Sequence, residues 1–178
     1  MKYDNLVNIL YQDNLNWGYS LVTTLDKEKI EKKDKFISDP YNFNNFLVLG
    51  FYFMNLYIIS NINEYSKLDS TELLTTVITA ASTYNKEKLS SVYKRNIDLK
   101  KIVEQYNSLV RKTKEYAPND GLKARIVAVD EIYRRIYDVF NKKHFNAFIK
   151  VVMSSFSDYE NKIDADLKKF MNELSQEV

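Results

Sequence analysis

The chain has 178 residues, 45% of them apolar, and its 26 Lys and Arg side chains nearly balance its 24 Asp and Glu side chains. This composition indicates one globular domain over residues 1–178 and excludes a wholly disordered chain. The absence of cysteine, a single histidine and only three glycines exclude a disulfide scaffold, a thiolate or multi-histidine metal site, and a glycine-rich phosphate loop.

The first 35 residues predict two short helices. The spacing of Leu6, Ile9 and Leu10 indicates a helix over residues 3–13. Apolar residues from 21 to 30 indicate a second helix, which ends in a charged run. Asn14, Asn16 and Gly18 weaken the helical pattern where the two meet.

A predominantly apolar helix is predicted over about residues 40–65. Asp39 is suited to the N-cap position and Pro40 to the first helical position. Residues 46–59 are apolar on nearly every face, so neighbouring helices should surround them. A buried pair of strands is the alternative for this aromatic and β-branched run. The 14 residues fall short of the roughly 20 that span a membrane, so we expect a core helix and no membrane partner.

The middle of the chain predicts one more helix and then a helical hairpin. Asp69 and Glu72 resemble a capping box before an amphipathic helix over about residues 70–85. A heptad seam then leads to the turn at 117–121, the one structural joint we expect, and a second seam follows it. Together they predict a long antiparallel hairpin over about residues 86–142. The seam residues are Val92, Leu99, Ile102, Tyr106, Leu109, Thr113, Tyr116, Leu122, Ile126, Val129, Tyr133, Ile136 and Phe140.

Two apolar stripes complete the chain, one over residues 145–156 and one over residues 159–174. Asp158 caps a break between two helices, or the two stripes belong to one long helix. The whole pattern predicts an all-α, single-domain bundle of about seven helices, in which amphipathic helices surround the apolar one.

Charge is unevenly distributed along the chain. Residues 86–150 carry a net charge of +8, and residues 1–85 and 151–178 each carry −3. A basic hairpin is typical of proteins that contact the phosphates of a nucleic acid, and that function requires its cations to share one exposed face. Alternatively, these side chains solvate a helix face, or the acidic ends of the chain pair with them, within one chain or across a dimer. The candidate nucleic-acid contacts are Lys94, Lys100, Lys101, Arg111, Lys112, Lys114, Lys123, Arg125, Arg134 and Arg135.

No combination of residues in the sequence indicates catalysis. His144 stands beside two lysines and is expected at a surface or a helix end. Asp164 and Asp166 lie in a polar stretch and are expected to be solvated. Ser154 and Ser155 lack a base nearby in sequence and are expected to be hydroxyls on a helix surface. We therefore predict no catalytic residue, no metal and no cofactor.

Tyr11, Trp17 and Tyr19 cluster around Gly18, outside any strong helical stripe. Tyrosine and tryptophan are enriched at protein interfaces, so these residues are candidates for a patch that faces a partner. The alternative is that Trp17 fills one end of the bundle.

The sequence favours a non-enzymatic, regulatory helical protein that binds another protein or forms a homodimer. The alternative is a nucleic-acid-binding protein that uses the basic hairpin. A weaker third hypothesis gives the apolar segment at 46–59 a small-ligand or membrane-surface role. Abundant Lys, Asn, Ile and Tyr, which have AT-rich codons, suggest a phage, plasmid or viral source. Without a recognisable secretory signal, the expected location is the cytoplasm, or the host cytosol for a virus.

Overall fold

The structure is a computed structural model that describes residues 4–61, 64 and 99–176. This part of the chain contains six helices and no strand, which confirms the predicted all-α bundle. The predicted helix at 70–85 and the start of the predicted hairpin at 86–98 lie outside the described residues. The helices are α1 (Asp4–Lys27), α2 (Asp34–Ile37), α3 (Pro40–Ser60), α4 (Leu99–Tyr116), α5 (Gly121–Ile136) and α6 (Lys142–Gln176).

Helix α1 is a single helix of 24 residues, so the prediction of two short helices in this region is wrong. Of the three residues that weakened the pattern, Asn14 and Gly18 are packing residues, whereas Asn16 is exposed. Asn14 is fully buried and donates a hydrogen bond from Nδ2 to the carbonyl oxygen of Leu47 in α3, at 3.0 Å. Gly18 is buried too, and a Cβ added to it would lie only 3.2 Å from the Phe43 ring.

The C-terminus of α1 ends in a Schellman motif. The Ile30 amide donates to the carbonyl of Leu25 and the Lys29 amide to that of Asp26, both at 2.9 Å. Lys29 adopts the left-handed conformation that this motif requires, with φ 57°. The carbonyl of Ile30 in turn accepts a hydrogen bond from His144 Nε2 at 2.9 Å, which ties the end of α1 to the start of α6.

Helix α3 is the centre of the bundle, as its apolar composition predicts. It packs against each of the other five described helices. Asp39 caps its first turn by accepting a hydrogen bond from the Tyr41 amide at 3.0 Å, and the helix ends at Ser60 rather than near residue 65. Among the described residues, α3 is the one helix with the length and composition of a membrane span. It is also mostly buried inside the protein, and core helices of that kind meet the same criterion.

Helices α4 and α5 pack against each other and against α3. The turn between them lies at the predicted joint, and Asp120 begins α5 by accepting a hydrogen bond from the Lys123 amide at 3.0 Å. The α4 seam is buried at Ile102, Tyr106 and Leu109. This part of the seam therefore belongs to the core of one chain and does not offer a surface for a dimer.

Helix α6 is one helix of 35 residues, about 52 Å long, so the two C-terminal stripes form a single element. Asp158 is exposed on its surface and caps no break. Helix α6 runs antiparallel to α1, because His144 lies near Ile30 at one end and Tyr159 contacts Asn14 towards the other.

Helices α1 and α3 approach each other closely at Gly50. A Cβ atom on Gly50 would overlap the amide oxygen of Asn14 and would lie 3.1 Å from Cε3 of Trp17. The absence of a side chain at this position is therefore what allows the Asn14 amide to enter the core.

Candidate functional site

A groove of about 820 Å³ runs between α1 and α6. Its α1 wall extends from Asp13 to Glu28, about 22 Å along the helix axis. Many of the residues that line it are small or carry hydroxyl groups, so another chain can approach both helices closely. The lining residues are Asp13, Asn16, Trp17, Ser20, Thr24, Glu28, Ile30, Ala147, Lys150, Val151, Ser154, Ser155, Asp158, Tyr159 and Lys162.

Trp17 forms part of the floor of this groove. Its indole Nε1 donates to Ser155 Oγ at 3.1 Å, and the Ser155 hydroxyl donates to the carbonyl of Val152 at 2.8 Å. The indole ring stacks on Tyr159 with 5.2 Å between ring centroids. Trp17 is only 5% exposed, so most of its surface is committed to the bundle.

The aromatic residues near Gly18 do not form an exposed patch. Tyr11 is buried in the core, and Tyr19 is half-buried against Phe43, with 5.1 Å between ring centroids. Trp17 is buried in the bundle, but it lies near the middle of α1 and not, as the alternative predicted, at one end of the bundle. The prediction of an exposed patch is therefore wrong. Asn14 and Gly18, which lie between these aromatic residues, pack against α3 and turn this part of α1 towards the core. Of the three residues, Trp17 alone lines the groove.

Two carboxyl groups meet at one end of the groove, Asp13 of α1 and Asp166 of α6. Burial, together with a hydrogen bond to Asp166 and its negative charge, raises the pKa of Asp13 to about 7. Burial opposes ionisation of Asp166 as well, but hydrogen bonds from Asp13 and Lys162 hold its pKa below the usual value. Burial and the neighbouring carboxyl group therefore both favour the protonated form of Asp13.

The expectation that Asp166 is a solvated side chain is therefore wrong. It is half-buried, and Lys162 donates a hydrogen bond to its Oδ2 at 2.9 Å. No pattern in the sequence identifies Asp13 as a site residue, because a single aspartate in a helical stretch is indistinguishable in sequence from a surface residue. Its partner is 153 positions away, and no spacing rule connects the two.

A second polar contact lies beside the carboxyl pair. The Tyr159 hydroxyl donates to Asn14 Oδ1 at 3.2 Å, and the carbonyl of Gly50 lies 3.4 Å from the same hydroxyl. Burial, and secondarily the charge of Asp13, raises the pKa of Tyr159 well above its usual value. Tyr159 therefore stays neutral and joins α1, α3 and α6 through hydrogen bonds.

Several of the basic hairpin residues are engaged in ion pairs. Glu131 of α5 accepts from Lys112 at 3.0 Å and from Arg135 at 3.1 Å, and Arg135 also donates to the carbonyl of Gln105 at 3.1 Å. Burial raises the pKa of Glu131, but the hydrogen bonds and positive charges of Lys112 and Arg135 outweigh this effect and hold the pKa below its usual value. Lys112 and Arg135 therefore already have a counter-charge inside the hairpin.

Two further arginines are paired as well. Arg125 contacts Glu160 of α6 at 2.7 Å and lies over the Phe156 ring at 4.6 Å. Arg134 contacts Asp130 at 2.8 Å. The Arg125 contact is the described pair in which the acidic C-terminal segment neutralises the basic hairpin, as one of the alternatives predicted.

The remaining candidate cations do not share one face. Lys101 lines a shallow cavity on the α5 side of α4, together with Arg135 and Glu131. In a helix each residue is rotated by 100° from the one before, which places Lys100, Arg111 and Lys114 on a different side of α4 from Lys101. All three are exposed, and no ion pair involves them in the described part of the chain; we call them the exposed basic row. Lys123 is exposed on α5, and Lys94 lies outside the described residues.

His144 lies in the first turn of α6, as expected for a residue at a helix end. It is half-buried, because its Nδ1 is 2.9 Å from the Tyr133 hydroxyl and its Nε2 bonds to Ile30. Within residues 4–61, 64 and 99–176, no three histidine or acidic side chains are close enough to hold a metal ion.

Comparisons with protein family models, with curated proteins and with solved structures find no match for this chain. Its function must therefore be inferred from the groove, the paired charges and the exposed basic row themselves.

Proposed function

We propose that this chain is a non-enzymatic helical protein that acts by binding another protein in the groove between α1 and α6. The observation that supports this proposal is the groove itself, which follows one stripe of each helix for about four turns. A groove of this length between two antiparallel helices suits the recognition mode in which a partner helix lies along it.

The chemistry of the lining favours binding over catalysis. Trp17 donates a hydrogen bond to Ser155, and Lys162 donates one to Asp166, so these polar groups already have partners. The shoulders carry serine and threonine side chains, which form hydrogen bonds with an approaching chain without a strong demand on its charge. Trp17 and Tyr159, which are only 5% and 4% exposed, form a rigid floor beneath these side chains.

The experiment is a differential capture from an extract of the source organism, with three forms of the chain as bait. Ser154→Trp adds a large side chain to an exposed position within the groove. Ser157→Trp adds the same side chain to an exposed position on α6 that does not line the groove. We expect a protein that is retained by the natural chain and by Ser157→Trp, and lost by Ser154→Trp. Calorimetry with that purified protein then measures the affinity. Equal capture by all three baits would contradict the proposal.

A second candidate function is supported by the exposed row of Lys100, Arg111 and Lys114. Among the described residues no ion pair involves these three cations, whereas Arg125, Arg134 and Arg135 each have an acidic partner. If the row contacts nucleic acid, reversing all three charges to Glu abolishes binding to a DNA or RNA duplex, and the affinity of the natural chain falls steeply with salt. If nucleic-acid binding changes neither with charge reversal nor with salt, this second function is wrong. The proposal that a partner protein binds in the groove does not depend on that result.

A further inference from the structure

Three residues of the predicted hairpin seam lie at the surface and not in the core. Tyr116, Leu122 and Ile126 are 57%, 62% and 42% exposed. Leu122 and Ile126 are one turn apart on the same flank of α5, and Tyr116 and Ile126 line one open depression of about 500 Å³ together with Val127. Single exposed apolar side chains are common, but a contiguous group of them marks a surface that a binding partner covers.

Three of these apolar residues lie at one level along the hairpin. Lys112 of α4 contacts Glu131 of α5 at 3.0 Å. Tyr116 is one turn after Lys112, and Val127 is about one turn before Glu131. Because a short turn joins α4 to α5 and the two helices run antiparallel, Tyr116 and Val127 are level with each other, and Ile126 is adjacent. The centre of this surface is therefore apolar.

Opposite charges flank the apolar centre along α5, and both line the same depression. Lys123 lies one turn before the centre and is exposed, and no ion pair involves it in the described part of the chain. Asp130 lies one turn after the centre. Arg134 donates to its Oδ2 at 2.8 Å, which leaves Oδ1 without a donor among the described residues. The order along the helix is thus cation, apolar centre, acid.

We propose that this surface is the contact of a homodimer, in which α5 of a second copy packs antiparallel across it. Lys123 is three residues before Ile126, and Asp130 is three residues after Val127. A two-fold axis between positions 126 and 127 therefore places Lys123 of each copy opposite Asp130 of the other and brings the two apolar centres together. A parallel arrangement would instead place like charges opposite each other. Since the charge order is complementary to itself, it favours a second copy over an unrelated partner.

The test is sedimentation velocity of the full chain at concentrations up to about 1 mM, a range that includes the dissociation constants of weak interfaces. We expect an equilibrium between monomer and dimer. Ile126→Asn removes an apolar side chain from the centre and should remain monomeric throughout this range. Ile59→Asn removes an exposed isoleucine of α3 that does not line the depression, and should dimerise as the natural chain does. A natural chain that is monomeric at every concentration would overturn the inference.

An exchange of the two charges tests the antiparallel orientation. Lys123→Glu places like charges opposite each other twice, so the dissociation constant of the dimer should rise by about tenfold. Glutamate is favourable in the first turn of a helix, so this variant should keep the helical content of the natural chain in circular dichroism. Asp130→Lys should weaken the dimer similarly. The double variant Lys123→Glu/Asp130→Lys restores opposite charges and should recover the affinity to within about threefold. If the double variant does not regain what the single variants lose, the inference is wrong.

The dimer does not depend on the partner proposed for the groove, because α5 does not line that groove. Ser154→Trp, which obstructs the groove, should therefore leave the dissociation constant of the dimer unchanged. A dimer that is lost in Ser154→Trp and retained in Ile126→Asn would place the contact in the groove, against the arrangement proposed for α5.

Discussion

Replacing Gly50 with alanine should destabilise the bundle strongly, although alanine is the better helix former. The new methyl group would overlap the Asn14 amide oxygen and would lie 2.9 Å from its Cγ atom. Asn14 cannot move aside freely, because its Nδ2 bonds to Leu47 and its Oδ1 accepts from Tyr159. The substitution therefore breaks two hydrogen bonds in a buried site or forces α1 away from α3.

The magnitude follows from these two bonds. Leaving a buried polar group without its partner costs about 1–3 kcal/mol, so two such losses amount to about 2–6 kcal/mol. The higher helix propensity of alanine offsets about 1 kcal/mol of this. We expect a net loss of about 3 kcal/mol in the free energy of unfolding, measured by urea denaturation followed by circular dichroism.

Two variants separate the close approach from a general effect of alanine. Gly121→Ala lies at the start of α5, where a Cβ meets nothing within 4 Å, and should change stability by less than about 0.5 kcal/mol. In an Asn14→Ala background the obstructing amide is gone, so the added cost of Gly50→Ala should fall below about 1 kcal/mol. An unchanged cost in that background, or a stable Gly50→Ala single variant, would refute this reasoning.

Three further predictions concern helix ends, the core and the hairpin charges. Lys29→Gly should stabilise the chain by about 0.5–1 kcal/mol in thermal unfolding, because glycine adopts the left-handed conformation without strain; a loss of stability would contradict the motif. Phe51→Asp should prevent folding, as judged by the loss of cooperative unfolding, whereas Ile59→Asp on the same helix, at a position 52% exposed, should fold normally. Glu131→Gln should cost about 1–2 kcal/mol at pH 7, because Arg135 loses its counter-charge. Since the pKa of Glu131 is lowered in the folded state, this difference should shrink as pH falls below 4.5, and a pH-independent difference would contradict the ion pair.

The sequence predicts the architecture well where apolar spacing alone decides it. Helix α3 is apolar on all sides, and this composition correctly places it inside the bundle. The break predicted within α1 is wrong because Asn14 and Gly18 are unfavourable for an isolated helix but make favourable contacts with α3. Tertiary contacts override local propensity at both positions.

The candidate site was less accessible to prediction from sequence. Trp17 was identified from its residue type, although its role is to form a groove floor and not an exposed patch. The Asp13–Asp166 contact joins residues near opposite ends of the chain, and composition offers no sign of it. The net charge of the hairpin was counted correctly, but a count cannot show that Arg125, Arg135 and Lys112 are neutralised by carboxylates on neighbouring turns and helices.

The single amide of Asn14 has a consequence for how α1, α3 and α6, the three longest helices in the described part of the chain, are aligned. Leucine and phenylalanine side chains tolerate sliding, since one apolar contact replaces another at little cost. The Asn14 amide does not tolerate sliding, because it is hydrogen-bonded to α3 on one side and to Tyr159 of α6 on the other. A shift of one turn, about 5.4 Å, would leave the amide without hydrogen-bond partners among apolar side chains. Asn14 thus fixes the register of α1 against both neighbours, together with the hydrogen bond from Trp17 to Ser155 between α1 and α6.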